Sequence, residues 1–303
     1  MWMPVFQQPV LPDTLVALDH AVKDFEIKHS YIKPDNEARI VWYNGNIKKT
    51  KYSLVYLHGF SASQGEGEPL HRNFANQIGA NLYLSRLEAH GTNPGDFKKL
   101  SPQTYLDSAI RAVEIGKKIG EKCIVIGTST GALLALYLAA RIKGIHALYL
   151  YSPLLDYQQG TALLLKRRLI NVAANLFFSR FPLSRKKKES AEIHKYWYPN
   201  YPLRGALVLT QMLEVMSKKE IFNEISIPVF MGYYYKSKLL QDPTVSVSAM
   251  LEMFNHLGTS LAKKREIAYP EADSHVITSA LVSAVYQEVL QDSLKFFEEV
   301  IKP

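Results

Sequence analysis

The chain has one cysteine, Cys123, among 303 residues. No disulfide can form within it, and a lone thiol at the head of an apolar stretch reads as a small buried hydrophobe, not a redox group. Also missing is any uninterrupted apolar run of the roughly 20 residues that a bilayer-spanning helix requires. Residues 1–8 include Pro4 and carry no basic segment ahead of an apolar core. Neither a signal peptide nor an anchor is therefore expected, and the cytoplasm is the expected compartment. There is no internal repeat and no low-complexity tract. What is present is 47% hydrophobic and 21% charged, a balance that excludes disorder and, at this length, allows a large core.

The formal charge is +8. A basic excess spread along a chain is a solvated surface and gives no reason to expect nucleic acid as a partner. The densest run, Arg185-Lys186-Lys187-Lys188, with Lys166-Arg167-Arg168 upstream, reads as a solvated loop or helix face. Weak peripheral contact with an anionic membrane is the most it would add, without stable insertion.

Strand-like and helix-like runs alternate over most of the sequence, the pattern of an α/β fold whose mostly parallel sheet is covered by helices on both faces. Strands are expected at residues 38–43, 52–57, 81–85, 124–126, 147–151, 228–235 and 266–269, and helices at 70–78, 132–142 and 281–301. Ser101-Pro102 supplies a cap and a first-turn proline for a helix with Leu106, Ala109, Ile110 and Val113 on one face. Between 157 and 224 the rhythm changes. No strand pattern is found there, and helical segments at 162–178 and 203–216 are broken by Pro182, Pro199 and Pro202. The expected organisation is a core of residues 1–156 and 225–303, with a helical cap of 157–224 over the carboxyl ends of the strands. The cap's Leu163, Leu164, Leu165, Ile170, Leu176, Phe177 and Phe178 read as packing between cap and core, with some available to line an acyl-chain pocket.

The sharpest feature lies at 123–134, Cys-Ile-Val-Ile-Gly-Thr-Ser-Thr-Gly-Ala-Leu-Leu. A β-branched strand runs directly into Gly-x-Ser-x-Gly and then into a helix with Gly131, Ala135 and Ala139 on a small-residue face. Such a turn forces the serine into a strained backbone and requires glycines two positions away, so that strand and helix can approach. The result is an exposed hydroxyl on Ser129 at a helix N-terminus, a setting that favours developing negative charge.

A serine hydroxyl needs an adjacent base, and the base needs a group to fix its tautomer. His275, in Pro-Glu-Ala-Asp-Ser-His-Val-Ile, is the histidine that falls between the last expected strand and the final helix. Asp242, in Leu-Leu-Gln-Asp-Pro-Thr-Val, follows the strand at 228–235 and is the preferred acid. Asp156 is held in reserve, and Asp273 stands too close in sequence to His275. For an oxyanion, one donor is expected from the N–H of Thr130. The second is expected from Phe60 in the loop His58-Gly59-Phe60-Ser61, with His58 pinning that loop.

Together these segments, with Arg86-Leu-Glu-Ala-His-Gly91 and Ser274-His-Val-Ile277, resemble the α/β-hydrolase superfamily, and within it the carboxylesterase and monoacylglycerol-lipase-like serine hydrolases. The resemblance spans residue 52 to the C-terminus. It implies an eight-stranded, mostly parallel sheet, a helical cap between strands six and seven, no cofactor or metal, and hydrolysis through an acyl-enzyme, with His90 and Gly91 structural. Two departures stand out: Thr128 and Thr130 occupy elbow positions where lipase-like members carry histidine and methionine, and the stretch from Gly232 to Asp242 is longer than usual. The expected activity is cleavage of a small-molecule ester of short to medium acyl chain. A thioesterase, amidase or acyltransferase would use the same groups, and a ligand-binding module of this fold is the alternative outside enzymology.

Overall fold

In the computed structural model the alternating pattern becomes a seven-stranded sheet with helices on both faces. The structure describes residues 2–158, 182–184 and 190–303. The strands are β1 (Arg39–Val41), β2 (Thr50–Leu57), β3 (Asn81–Leu84), β4 (Gly120–Thr128), β5 (Ile145–Tyr151), β8 (Val229–Tyr233) and β9 (Lys264–Ala268). Their spatial order is β1-β3-β2-β4-β5-β8-β9, with β1 antiparallel to β3 and all other neighbours parallel. Among the described residues this sheet has seven strands, against the eight expected. The chain ahead of β1 supplies instead α1 (Leu15–Ile27), which the alternation pattern does not include. Thr14 caps it, accepting from the Ala17 N–H at 3.2 Å, and Leu18 and Val22 bury its inner face.

The sheet is buried on both sides because successive side chains point to opposite faces. On β2, Tyr52, Leu54 and Tyr56 join one core with Phe74 of α2 (Leu70–Gln77) and Phe296 of α9 (Tyr286–Phe296). Val55 and Leu57 join the other, with α3 (Pro102–Ile119) and α4 (Thr130–Arg141). Cys123 of β4 lies in that second core, where burial pushes its thiol up to about 12. The cap expected at Ser101 forms at α3, and it is a capping box in which Ser101 and Thr104 exchange bonds.

After β5 the chain leaves the sheet and returns at β8. Of this excursion, β6 (Pro182–Ser184), α5 (Ala191–Tyr196), β7 (Asn200–Pro202), α6 (Leu203–Met216) and α7 (Lys219–Asn223) are described, and α6 packs on α3 and α4. β6 and β7 pair antiparallel, which corrects the strandless reading of this region: three-residue strands are too short for an alternation of period two to register. The expected helix at 162–178, the apolar residues 163–178, Lys166-Arg167-Arg168 and Arg185-Lys186-Lys187-Lys188 lie outside the described residues. Beyond β8 come α8 (Val247–His256), β9 and α9. The final helix starts at Tyr286, later than the expected 281, because residues 279–283 close turns in which Val282 and Ser283 both donate to the Ser279 carbonyl. It continues as a π-turn over Phe297–Ile301.

Candidate active site

The loops after β2, β4, β5, β8 and β9 gather at the carboxyl edge of the sheet, the edge at which open α/β sheets form their clefts. Ser129 sits at the end of β4 with φ 55° and ψ −114°, a backbone conformation that costs a non-glycine residue about 1–3 kcal/mol and marks functional turns. Its neighbours hold it there. The Ser129 N–H donates to the Tyr151 carbonyl at 2.9 Å, and the Ser129 carbonyl accepts from Leu154, Ala132 and Leu133. A Cβ on Gly131 would overlap the Leu57 carbonyl oxygen, and one on Gly127 would stand 2.6 Å from the Ala132 backbone. Side chains there would push β4, α4 and β2 apart, which is the steric requirement read from the motif.

His275 Nδ1 lies 2.7 Å from Asp242 Oδ2. A carboxylate can only accept, so Nδ1 carries a proton, and in the neutral ring Nε2 keeps its lone pair. Asp242 is fully buried, and its other oxygen accepts from the N–H groups of Thr244 (2.8 Å) and Val245 (3.0 Å). The long stretch from Gly232 to Asp242 proves to be a closed excursion: Tyr235 bridges Gln241, Lys236 and Ser237 donate to the Leu240 carbonyl, and the Asp242 N–H returns to the Tyr234 carbonyl at 3.2 Å. The extra residues therefore loop out, and Asp242 begins where β8 ends. The reserve candidate Asp156 accepts from the Tyr157 N–H at 2.9 Å, and its carbonyl accepts from Ser246.

Ser129, His275, Phe60 and Thr130 line one cavity of about 220 Å³, with Glu66 and Thr244 as further polar groups and Leu154, Tyr157, Trp197, Leu209 and Val276 as apolar wall. Thr130 opens α4, where first-turn N–H groups have no intrahelical acceptor. Trp197 packs on Ala62 and Val276 and is held from the N-terminal side. Lys33 Nζ donates to the carbonyls of His194 (2.6 Å) and Trp197 (3.2 Å), Asn36 donates to the Lys195 carbonyl, and Tyr196 donates to Asp35. Burial in this clamp brings the Lys33 ammonium down to about 8.

The loop after β2 is fixed by neutral histidines. His58 Nε2 accepts from the Leu87 N–H, so Nδ1 must carry the proton it donates to the Gly59 carbonyl at 2.9 Å. His90 repeats the arrangement, accepting from the Ser61 N–H and donating to the Glu88 carbonyl. Burial is the first cause lowering both imidazoles, His58 to about 4 and His90 well below its ordinary value; Arg86 adds to it at His58, and His58 ahead of Arg86 at His90. His58 thus pins the loop, as the sequence reading has it. Glu66, Trp197 and Tyr157 are site residues that the reading does not single out. For Glu66 a signal exists in the glycines on either side, since a Cβ on Gly65 would strike Tyr196 and one on Gly67 would strike His71.

A second cavity, about 370 Å³, lies between the N-terminal segment, α1 and α3. Its buried charges, Arg86 and Glu26, bind one another at 2.6 and 3.1 Å. No serine elbow or histidine–carboxylate pair opens on it. Among the described residues, no group of three metal-binding side chains is gathered and no helix is long and apolar enough to cross a membrane.

A strained serine between β4 and α4, a carboxylate after β8 and a histidine after β9 complete a recognisable architecture. This is the α/β-hydrolase fold. The structure of the metagenome-derived lipolytic enzymes LipS and LipT superposes with a TM-score of 0.70 at 16% identity, over 88% of this chain and 99% of that one. A monoglyceride lipase from Saccharomyces cerevisiae, solved with a substrate analogue, gives 0.66 at 15%, over 87% and 92%. The monoacylglycerol lipase of Paleococcus ferrophilus gives 0.62 at 14%, over 86% and 98%. No protein-family model matches the sequence, and no curated protein matches it significantly, so the likeness to these proteins is one of fold.

Proposed function

We propose that this protein is a serine hydrolase that cleaves carboxylic esters of small to medium acyl chain. The observation that carries the reading is the opening of strained Ser129 and of His275, with Asp242 2.7 Å behind its Nδ1, onto one cavity. Ser129 Oγ attacks the ester carbonyl and passes its proton to His275 Nε2, while Asp242 stabilises the imidazolium. The N–H groups of Phe60 and Thr130 hold the oxyanion. On collapse the alcohol leaves with the proton from His275, and the acyl group stays on Ser129. Water, deprotonated by the same imidazole, then releases the acid and restores the serine.

Residues 157–224 act as the cap in this reading, supported by Trp197 and Leu209 on the cavity wall. A space of about 220 Å³ falls below the ordinary range of roughly 300–1,000 Å³ for small-molecule sites, which supports a short acyl chain. The structural neighbours described as lipolytic enzymes and monoacylglycerol lipases support ester chemistry. A cytoplasmic setting is proposed on the single buried thiol, since this fold needs no oxidising compartment.

The test is turnover of p-nitrophenyl esters graded by acyl length, with fluorophosphonate labelling of the same samples. Ser129→Ala is expected to lose at least about 10³-fold in kcat and all labelling. A Ser129→Ala protein that hydrolysed these esters at the parental rate would overturn the proposal.

A further inference from the structure

Glu66 is almost wholly buried in the short 3-10 turn Gln64–Gly67, yet it reaches the cavity that Ser129 lines. Its Oε2 accepts from the Gly59 N–H at 2.6 Å and from the Tyr56 hydroxyl at 3.1 Å. The same hydroxyl lies 3.1 Å from Oγ1 of Thr128, the residue before Ser129. A Cβ on Gly59 would stand 2.8 Å from Glu66 Oε1 and 3.3 Å from the Ser129 Cβ. The Gly59 backbone therefore runs between the carboxylate and the serine. At the other end of Gly59, the carbonyl accepts from His58 Nδ1 at 2.9 Å and from the Ala62 N–H at 3.3 Å. In a trans peptide the N–H points opposite to the preceding carbonyl, so fixing both ends of Gly59 fixes the direction of the Phe60 N–H.

We infer that Glu66 is a positioning residue: by gripping the Gly59 N–H it aims the Phe60 N–H at the oxyanion formed on Ser129. A charge-assisted bond to a backbone N–H is about twice as strong as a neutral one, and it keeps the donor aligned before the oxyanion exists. Such a bond acts on the transition state and leaves substrate binding nearly untouched. The inference rests on the proposed role of Ser129.

Three substitutions separate geometry from charge. Glu66→Gln keeps an acceptor of the same reach without the charge, and is expected to lower kcat by about three- to tenfold, less than the other two. Glu66→Asp keeps the charge but withdraws it by one methylene, and Glu66→Ala removes both. Each of these two is expected to lower kcat by about 10- to 100-fold with KM within about threefold. Affinity for a trifluoromethyl ketone, which adds to the serine as an oxyanion, is expected to fall by the same factor as kcat/KM. A role confined to folding would not produce that split, and thermal melting on the same samples checks it. The Gly59 amide proton, shifted downfield by the carboxylate, is expected to move upfield in Glu66→Asp and Glu66→Ala. This resonance reads the Glu66–Gly59 bond without turnover, so a Ser129→Ala protein that stayed active would sink the hydrolase reading separately. If Glu66→Ala does not fold, Gln against Asp decides. Equal losses in the two, or an Asp variant within twofold of the parent, would overturn the inference.

Discussion

The serine elbow and the hairpin that delivers Asp242 to His275 serve one site by opposite routes. At the elbow, position follows from backbone contacts that leave no room for a side chain: one on Gly127 would meet Ala132, and one on Gly131 would meet Leu57 and His58 at the end of β2, with Ser129 at a positive φ in the turn between. At the hairpin, Asp242 is set by bonds between chain segments that the sequence does not align, the Tyr234 carbonyl on one side and Nδ1 of His275, 33 residues later, on the other. Leu239 and Leu240 at the hairpin tip are exposed, so apolar packing does not shape the tip. The difference teaches that a steric requirement against backbone is rigid, whereas a bonded one tolerates change wherever the bonding ends are kept.

The elbow provides the largest expected effect. Gly131→Ala sets a methyl group on the Leu57 carbonyl oxygen and 2.8 Å from that of His58, and backbone cannot rotate aside as a side chain can. A loss of about 5 kcal/mol or more is expected, enough to unfold a typical domain. Denaturant unfolding of any soluble fraction measures it, and a variant within 1 kcal/mol of the parent would break the comparison at its rigid end. At the hairpin the effect moves from stability to activity. Asp242→Asn keeps an oxygen for the Thr244 and Val245 N–H groups but loses the charge and the tautomer control at His275. A fall of about 10³- to 10⁴-fold in kcat is expected, with the melting temperature nearly unmoved.

The same distinction explains what could be read from the amino acids alone. Ser129 and its flanking strand and helix were legible because the steric demand is written in five consecutive residues. The two-faced sheet was legible in the alternation of β2, β4 and β5, and His275 in its place between β9 and α9. The hairpin hid the closeness of Asp242 to β8, because turn bonds such as that from the Lys236 N–H to the Leu240 carbonyl leave no periodic trace. Glu66 was hidden for another reason: its partners, the Gly59 N–H and the Tyr56 hydroxyl, belong to a strand end and loop that only the fold brings over it. The clamp of Lys33 and Asn36 on residues 194–197 is more distant still.

Between the two extremes stands the loop after β2, held by buried imidazoles. His58 and His71 are lowered to about 4 and His90 further, burial being the first cause in each. A depressed pKa means that the unfolded chain takes up these protons first. Stability is therefore present above the ordinary histidine value near 6.5 and is lost as pH falls toward 4. On the order of 3 kcal/mol is expected from each of His58 and His71 across that window. Unfolding free energies measured from pH 7.5 to 4.5 should fall steeply below about 6.5, and a flat profile would mean that these rings are not held neutral. His71 carries a further mark of neutrality: its Nε2 donates to the Gln64 carbonyl, while its buried Nδ1 has no partner.

The smallest effect is expected where the comparison is most exposed to failure, at the hairpin tip. Replacing residues 236–240 by Asn-Gly leaves Tyr235 and Gln241 to pair across a two-residue turn, the connection that best suits a twisted antiparallel pair. The exchange removes two solvent-facing leucines and the exposed ion pair between Lys236 and Glu271, an interaction of a kind that contributes little. It leaves intact the Asp242 N–H bond to Tyr234 and both bonds to Asp242 Oδ1. Activity on p-nitrophenyl esters is expected to stay within about twofold, against the collapse expected from a single methyl group at Gly131. A tenfold loss of kcat/KM in the shortened protein would show that the tip steers Asp242 or reaches the substrate, and the contrast between a rigid steric lock and a tolerant bonded loop would then fall.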